Sequence, residues 1–435
     1  MSKTKKKAPT GPKMGSGLSS RDKLTAAIGA VNKKYGEGTI AKAGTVSFSH
    51  KRRLSTGIVA LDMETGGGIP KGRIAMVVGD EAAGKTTLCI RLAAKAQHTC
   101  RACMGLFEYD TVTDPSTGET EQTVTVPCTC GKNEPHVVAY FDAEGTFDPD
   151  WAKLHGMDVA NTLLIQPEYA QQGVDTAAAL IRTGELDLLV IDSIAMLTPR
   201  REVEESAEAG QRPDLALIVN RAMRVFQSAL NSLGMNNPNK PAIVQVNQFR
   251  EKVGVMYGDP TTWPGGRGQN FAASILIVMR GGKKVDAKGV VGGVEKKKLG
   301  IELNFSVEKN KTFTPYRKGS FRLYNDDAPA LGIVKGTVDN FAQMMSYATS
   351  LGVIQQSGAW YDLQPTFGAE FANPDSKKGN FQGLDSVVAY LKAHPVKQKA
   401  VEDRILASVQ GMAANVAAVQ DAVDDALTTE TEGDE

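Results

Sequence analysis

The chain has 435 residues, 41% of them hydrophobic, which is too long for one small domain and enough for about two or three. Its net charge is only +1, so overall charge points to no nucleic-acid partner, and the distribution of charge along the chain matters more. No apolar run reaches the ~18 residues that span a bilayer, and the basic N-terminus lacks an apolar signal core, so the chain reads as cytoplasmic with no membrane partner. Thiols stay reduced there, so clustered cysteines indicate metal before disulfide.

Residues 1–19 are rich in Lys, Gly, Ser and Pro, with Lys3, Lys5, Lys6 and Lys7 near the start, and read as a disordered basic tail. Residues 20–36 begin with Ser caps and place Leu24, Ala27, Ile28 and Val31 at helical spacing. This helix either packs on its own domain or seeks a partner; with its linker it occupies 20–54. From 55 to 328, strand-like apolar runs alternate with helical stretches. The strand candidates are 74–79, 137–142, 187–192, 242–247 and 274–279. Such strands, separated by helices, predict an α/β fold with a mainly parallel sheet covered on both faces. Residues 329–410 form a small α/β C-terminal domain with helical patterns near 338–351, 383–393 and 399–410. Residues 411–435 end in Asp421, Asp424, Asp425, Glu430, Glu432, Asp434 and Glu435, an acidic tail that is either a solvated end or a mimic of DNA.

The strongest motif is Gly79, Asp80, Glu81, Ala82, Ala83, Gly84, Lys85, Thr86, a complete G-x-x-x-x-G-K-[ST] sequence between a predicted strand and a helical run. Its glycines let backbone N–H groups, with Thr87 at the helix start, wrap phosphates. Lys85 is placed to neutralise β- and γ-phosphate charge and Thr86 to ligate Mg²⁺. The run Leu188, Leu189, Val190, Ile191, Asp192 has the form of a Walker B strand, with Asp192 as the second Mg²⁺ group. ATP hydrolysis also needs a group that orients water. Another predicted strand ends in Asp142 and Glu144, and Glu144 is taken ahead of Asp142.

In this order the motifs resemble those of the bacterial RecA recombinases, over about residues 20–410. Further matches are Ser55–Gly57, Leu61 and Asp62, 66–70, Gly72 and Arg73 before the phosphate loop, and Phe147–Pro149 after Glu144. The resemblance implies a RecA-like ATPase core with an N-terminal oligomerisation helix, and a filament on single-stranded DNA that pairs it with double-stranded DNA. It implies Trp151 stacking on adenine, Asp148 contacting the base and Gln248 sensing the γ-phosphate. The loop 251–270 becomes the main DNA-binding loop: Arg250, Lys252 and Arg267 face phosphates, while Val253, Met256 and Tyr257 wedge between bases. Arg224 joins this DNA-binding set. Phe271 matches a subunit-interface residue, Lys309 and Lys311 match lysines that reach a neighbour's ATP, and Gly358–Tyr361 matches the C-terminal domain. Single-strand binding and loader proteins are further implied partners.

The sequence departs from the family in two places. The first DNA loop, about 202–213, ends in Ala209, Gly210, Gln211, Arg212 and Pro213, so the family's tip contacts do not carry over and Arg212 brings a charge instead. After the phosphate-loop helix there is an insertion, 98–136, with Cys100, Cys103, Cys128 and Cys130. Two close thiol pairs around a turn at 114–118 read as a zinc ribbon, although one residue separates the second pair where two are usual. His98 and His136 are substitute ligands in the zinc reading, and a metal-free thiol hairpin is the alternative to it; Cys89 is read as core. Two other functions compete with a recombinase filament. One is a RecA-fold helicase or translocase, which has no reason to carry the N-terminal helix, Lys309/Lys311 and Gly358–Tyr361 together. The other is a non-enzymatic regulator, against which Lys85, Asp192 and Glu144 all speak.

Overall fold

The computed structural model describes residues 20–36, 39–43, 46, 49–113, 120–204, 214–251, 261–266, 268–286, 298–329, 333–394, 396–398, 400–402, 404–405 and 408. The two tails, the 114–118 turn, the tip of the first loop with Arg212, and Lys252, Val253, Met256, Tyr257 and Arg267 lie outside these residues.

Six apolar segments form parallel strands: β1 Ile74–Gly79, β4 Val138–Asp142, β5 Thr162–Ile165, β6 Leu188–Asp192, β7 Ala242–Gln248 and β8 Ile275–Asp286. Two more strands, β9 Lys298–Asn310 and β10 Arg317–Tyr324, extend the sheet antiparallel, giving the order β10-β9-β8-β1-β7-β6-β4-β5. The α/β, mainly parallel expectation holds. Side chains alternate across the sheet, and both faces are covered. On one face Ala75, Val77, Tyr140, Val190 and Val244 pack with Leu88, Ile90 and Leu92 of helix α3 (Lys85–Gln97). On the other, Ile74, Phe141, Leu189 and Ile243 meet α5 (Ala170–Thr183) and α7 (Asp214–Ser232). Cys89 is fully buried in the first of these cores, as expected.

The N-terminal helix α1 (Ser20–Tyr35) has no fully buried residue, and Ala27, Ile28 and Val31 of its apolar face are half-buried. Helix α2 (Val59–Thr65) lies between the core and the C-terminal region, where Val59 joins Phe341, Met344 and Met345 of α9 (Asn340–Ala348) and Val387 and Leu391 of α10 (Leu384–Lys392). Three short antiparallel strands at 355–357, 360–362 and 381–382 complete that region, which is α/β as expected although the sequence reading located only its helices.

The insertion is a two-stranded antiparallel hairpin, β2 Glu108–Thr113 and β3 Thr120–Val126, with Thr113 opposite Thr120. Its buried cluster is Cys100, Phe107, Tyr109 and Cys128. That is little apolar area for an independent fold, because an isolated two-stranded hairpin is marginal in water.

Candidate functional site

Parallel strands bring their carboxyl ends to one edge of the sheet, where ligands of open α/β sheets bind. Four adjacent strands, β1, β7, β6 and β4, end there in Gly79, Gln248, Asp192 and Asp142. The phosphate loop leaves β1 at Gly79. A Cβ at Gly79 would lie 2.2 Å from the Met279 carbonyl oxygen of β8, so only glycine fits. Gly84 starts α3 at φ +75°, a left-handed conformation that glycine adopts without strain. Asp80, Glu81 and Ala82 are exposed, Ala83 is buried, and the loop opens at the N-terminus of a 13-residue helix. Anions are stabilised at such a terminus.

Lys85 is buried, and its Nζ donates to the Gly79 carbonyl at 3.2 Å and to the Asp80 carbonyl. Burial lowers its pKa, opposed by the carboxylates of Asp192 and Glu144. Asp192 is buried and its pKa is raised by burial, opposed by hydrogen bonds from Tyr140 (2.7 Å) and Thr86; the charge of Glu144 raises it further. The Thr86–Asp192 contact joins the two groups assigned to Mg²⁺. A divalent ion there would offset the burial that disfavours ionised Asp192, and this pair of oxygens fits a hard cation.

Asp142 and Glu144 prove to be different kinds of carboxylate. Asp142 accepts from the N–H groups of Thr146 and Phe147 and from Gln166 Nε2, at 3.2, 3.1 and 2.9 Å. Those bonds saturate it and fix the turn. Glu144 Oε1 instead accepts from Ser193 Oγ at 2.5 Å and Gln248 Nε2 at 3.1 Å. Ser193 follows the Walker B strand and leads through α6 (Arg200–Glu204) to the first loop. Gln248 ends β7 at the root of the second loop. Glu144 therefore ties the roots of both loops to the catalytic edge. Ser193 was legible only as a residue next to Asp192; nothing in the sequence places it against Glu144.

On the far side of α3, Trp151 Nε1 donates to Thr87 Oγ1 at 3.4 Å, and the ring meets His155 edge-on at 4.6 Å. This sets an aromatic surface beside the phosphate-loop helix. Asp148 caps the helix α4 (Pro149–Leu154), its Oδ1 accepting from the N–H groups of Asp150 and Trp151 at 2.9 and 3.1 Å.

The described part of the second loop is anchored at both ends. Arg250 and Glu251 pair with Thr262 and Thr261, closing its base as an antiparallel ribbon. Asn247 Nδ2 donates to the Pro264 carbonyl and to Gln269 Oε1, each at 3.0 Å. Gly268 of α8 (Gly268–Ala272) lies against Asn220 of α7, where a Cβ would come 1.8 Å from Asn220 Oδ1. Because α7 follows the first loop, the two loops share this contact. Arg224 on α7 is exposed.

Lys309 Nζ donates to the Asn270 carbonyl and Lys311 Nζ to the Phe271 carbonyl at 3.3 Å; Phe271 itself is 76% exposed. Asn310 pairs with Ile275, which pairs with Ala75. The lysines thus sit at the start of β1, about 13 Å along the strand from Gly79. They cannot serve their own phosphate loop.

In the insertion, the sulfurs of Cys100, Cys103, Cys128 and Cys130 all lie within 4.8 Å of one another. Neither His98, stacked on Tyr109 at 4.7 Å, nor His136, bonded to the Thr99 carbonyl at 2.7 Å, belongs to that group. Among the described residues, no helix is long and apolar enough to cross a membrane.

The model of the RecA N-terminal domain matches residues 22–115 and 110–328. Among curated proteins, Protein RecA of Aquifex aeolicus (strain VF5) is 32% identical over 384 residues, 88% of this chain and 91% of that one. Protein RecA of Lactococcus lactis subsp. cremoris (strain MG1363) is 31% identical over 377 residues, 86% of this chain and 80% of that one. Protein RecA of Ruminococcus albus is 31% identical over 392 residues, 90% and 81%.

Proposed function

Since the chain belongs to the RecA family, we propose that its nucleotide site is a DNA-stimulated ATPase that sets the state of the two DNA-binding loops. Its function is that of a RecA-type recombinase: homologous pairing and strand exchange in DNA recombination and repair. ATP and Mg²⁺ are the implied nucleotide and ion, and DNA and further copies of the chain the implied partners. Single-strand binding and loader proteins, and a bacterial or host cytoplasm, complete the proposal.

One observation carries the coupling: Glu144 accepts hydrogen bonds from Ser193 and Gln248, the roots of both loops. The phosphate loop and Lys85 hold the triphosphate, and Trp151 and Asp148 flank the base. Thr86 and Asp192 would hold Mg²⁺, which would supply charge neutralisation for the triphosphate. Glu144 orients and deprotonates the attacking water. A γ-phosphate within reach of Gln248 competes with Glu144 for its amide, so Gln248 turns and carries Arg250 and the ribbon formed by 250–251 and 261–262 with it. ATP thereby favours the DNA-competent state by differential binding, and hydrolysis removes that preference. Arg250, with Lys252, Arg267, Arg212 and Arg224, then holds the DNA backbone, while Val253, Met256 and Tyr257 separate bases. Lys309 and Lys311 face the ATP of a neighbouring copy, as an arginine finger does. The four thiols of the insertion form a second site whose donor set suits Zn²⁺.

The test is an ATPase assay with and without single-stranded DNA, together with electron microscopy of the protein with an ATP analogue. DNA-stimulated turnover and long helical filaments are expected. Closed rings would indicate a translocase, and no turnover would remove the ATPase.

A further inference from the structure

The geometry points to the four-thiol site as a clamp: Zn²⁺ bound by Cys100, Cys103, Cys128 and Cys130 fixes Arg101, and Arg101 fastens the insertion to the base of the Walker B strand. The clamp rests on the zinc reading and goes beyond it, because a zinc ribbon could fold its own hairpin and touch nothing else.

The metal end is built from two backbone knuckles. The Met104 N–H donates to the Cys100 carbonyl at 2.8 Å and the Gly131 N–H to the Cys128 carbonyl at 3.0 Å. Beyond each turn an amide faces a sulfur: Gly105 N–H on Cys103 and Asn133 N–H on Cys128, both at 3.4 Å. Such bonds orient thiolate ligands and offset their charge. Cys100–Cys130 and Cys128–Cys130 are 3.7 and 3.5 Å apart. A tetrahedron of sulfurs around Zn²⁺ has edges of about 3.8 Å, from the 2.3 Å Zn–S bond, whereas a disulfide is about 2.05 Å. Two of the six spacings match that edge, and four sulfurs all within 4.8 Å of one another suit a tetrathiolate cage and no set of disulfides.

The core end begins inside the first knuckle. Arg101 lies between two of the ligands, and its guanidinium makes three contacts across the chain. Nη1 meets Glu185 at 2.6 Å, Nε meets Asp187 at 3.2 Å, and Nη2 donates to the Gly184 carbonyl at 2.9 Å. Asp187 immediately precedes β6. It is fully buried, pairs with the equally buried Lys71 at 2.6 Å, and accepts the Val137 N–H at 3.0 Å. Val137 in turn immediately precedes β4. From the other side, Arg52 donates to the Arg101 and Ala102 carbonyls. The knuckle is thus held from two separate parts of the core, the segment 184–187 and Arg52. A fork-shaped guanidinium satisfies these acceptors only when its backbone is held in one place. The hairpin cannot hold it, because its buried cluster is four residues of which two are metal ligands. Metal binding therefore supplies the order that Arg101 needs.

The experiment uses the full-length protein, purified without chelator. Elemental analysis should give about one zinc per chain. A zinc-selective chelator in excess Mg²⁺ should make the 98–136 segment protease-sensitive. It should also speed hydrogen exchange at residues 137 and 184–188 by at least about tenfold. Arg101→Ala should keep its zinc and a protected hairpin, yet show the same faster exchange at those core residues. Protein without zinc, or with iron in its place, overturns the metal reading. Zinc present, but exchange at 137 and 184–188 unmoved by both chelator and Arg101→Ala, overturns the clamp and leaves the metal.

Discussion

Replacing Glu144 by Gln removes one negative charge while keeping the side chain's size. The remaining carbonyl oxygen still accepts from Ser193 and Gln248, whose bonds of 2.5 and 3.1 Å now lose their charge assistance. The loss is about 1 kcal/mol for each bond, too little to unfold the core. The effect on the metal site is opposite in sign. Glu144 raises the pKa of Asp192, so the substitution makes Asp192 easier to ionise and leaves it the better Mg²⁺ group. Lys85 loses one of the carboxylates that oppose the burial of its ammonium but keeps Asp192, and the phosphate loop keeps its backbone. ATP binding should therefore survive. Hydrolysis should not, since an amide cannot take the proton from water. A loss of ~10²-fold or more in turnover is expected, equal to about 2.7 kcal/mol of transition-state stabilisation. Phosphate release measures turnover, a fluorescent nucleotide measures binding, and filaments on single-stranded DNA should persist with ATP itself. Normal turnover would remove Glu144 from the site. Binding and turnover lost together would make it a structural tether.

Lys85→Ala takes away the cation beside the phosphate loop and should abolish nucleotide binding, hydrolysis and strand exchange together, as read by the same assays. Lys309→Ala and Lys311→Ala should abolish DNA-stimulated turnover while an isolated protomer still binds nucleotide; stimulation preserved in both variants would contradict the trans assignment. Affinity for single strands should fall steeply with salt, with a log–log slope of about −0.7 for each phosphate neutralised. Arg250→Ala or Arg267→Ala should each flatten that slope without creating sequence preference, and a salt-independent affinity would rule out the backbone-holding model.

The sheet edge that carries the candidate site was legible because its motifs are local. The P-loop strand runs 74–79 in both sequence and structure, and the strands ending at Asp142 and Asp192 differ by one residue at their starts. Strand β8 was read as 274–279 but continues to Asp286. Its partner β1 stops at Gly79, so the polar stretch Arg280–Lys284 continues on pairing with β9 alone, and apolar pattern is blind to it. Near 355–382 the strands are only two or three residues long, too short for a period-two pattern to register. What a carboxylate does was less legible still. Asp142 and Glu144 end the same predicted strand, and only their partners separate a turn-fixing acid from one aimed at the site. Arg101 was invisible as a functional residue because its acceptors lie more than 80 positions away.

The proposed mechanism needs two copies of the chain, and the sheet says why. Every group proposed to meet phosphate within one protomer lies at or just beyond the carboxyl ends of β1, β4, β6 and β7, because parallel strands share that edge. Lys309 and Lys311 lie at the opposite edge, on a strand running antiparallel to β8, opposite Leu276 and beyond Ile275. No hinge within a continuous hydrogen-bonded sheet brings these edges together. If the two lysines act on ATP, they act on a neighbour's. Phe271, exposed and with its carbonyl already held by Lys311, lies at the same edge. The helix that positions it, α8, is joined through Asn247 and Gln269 to the end of β7, one residue from Gln248. A change at Gln248 in one protomer thus has a short path to the surface that would meet the next protomer's nucleotide. This predicts that Gln269→Ala, which cuts the Asn247 link without altering any group proposed to meet phosphate, lowers DNA-stimulated turnover while leaving nucleotide affinity within about twofold, whereas equal loss of both would place the defect in folding.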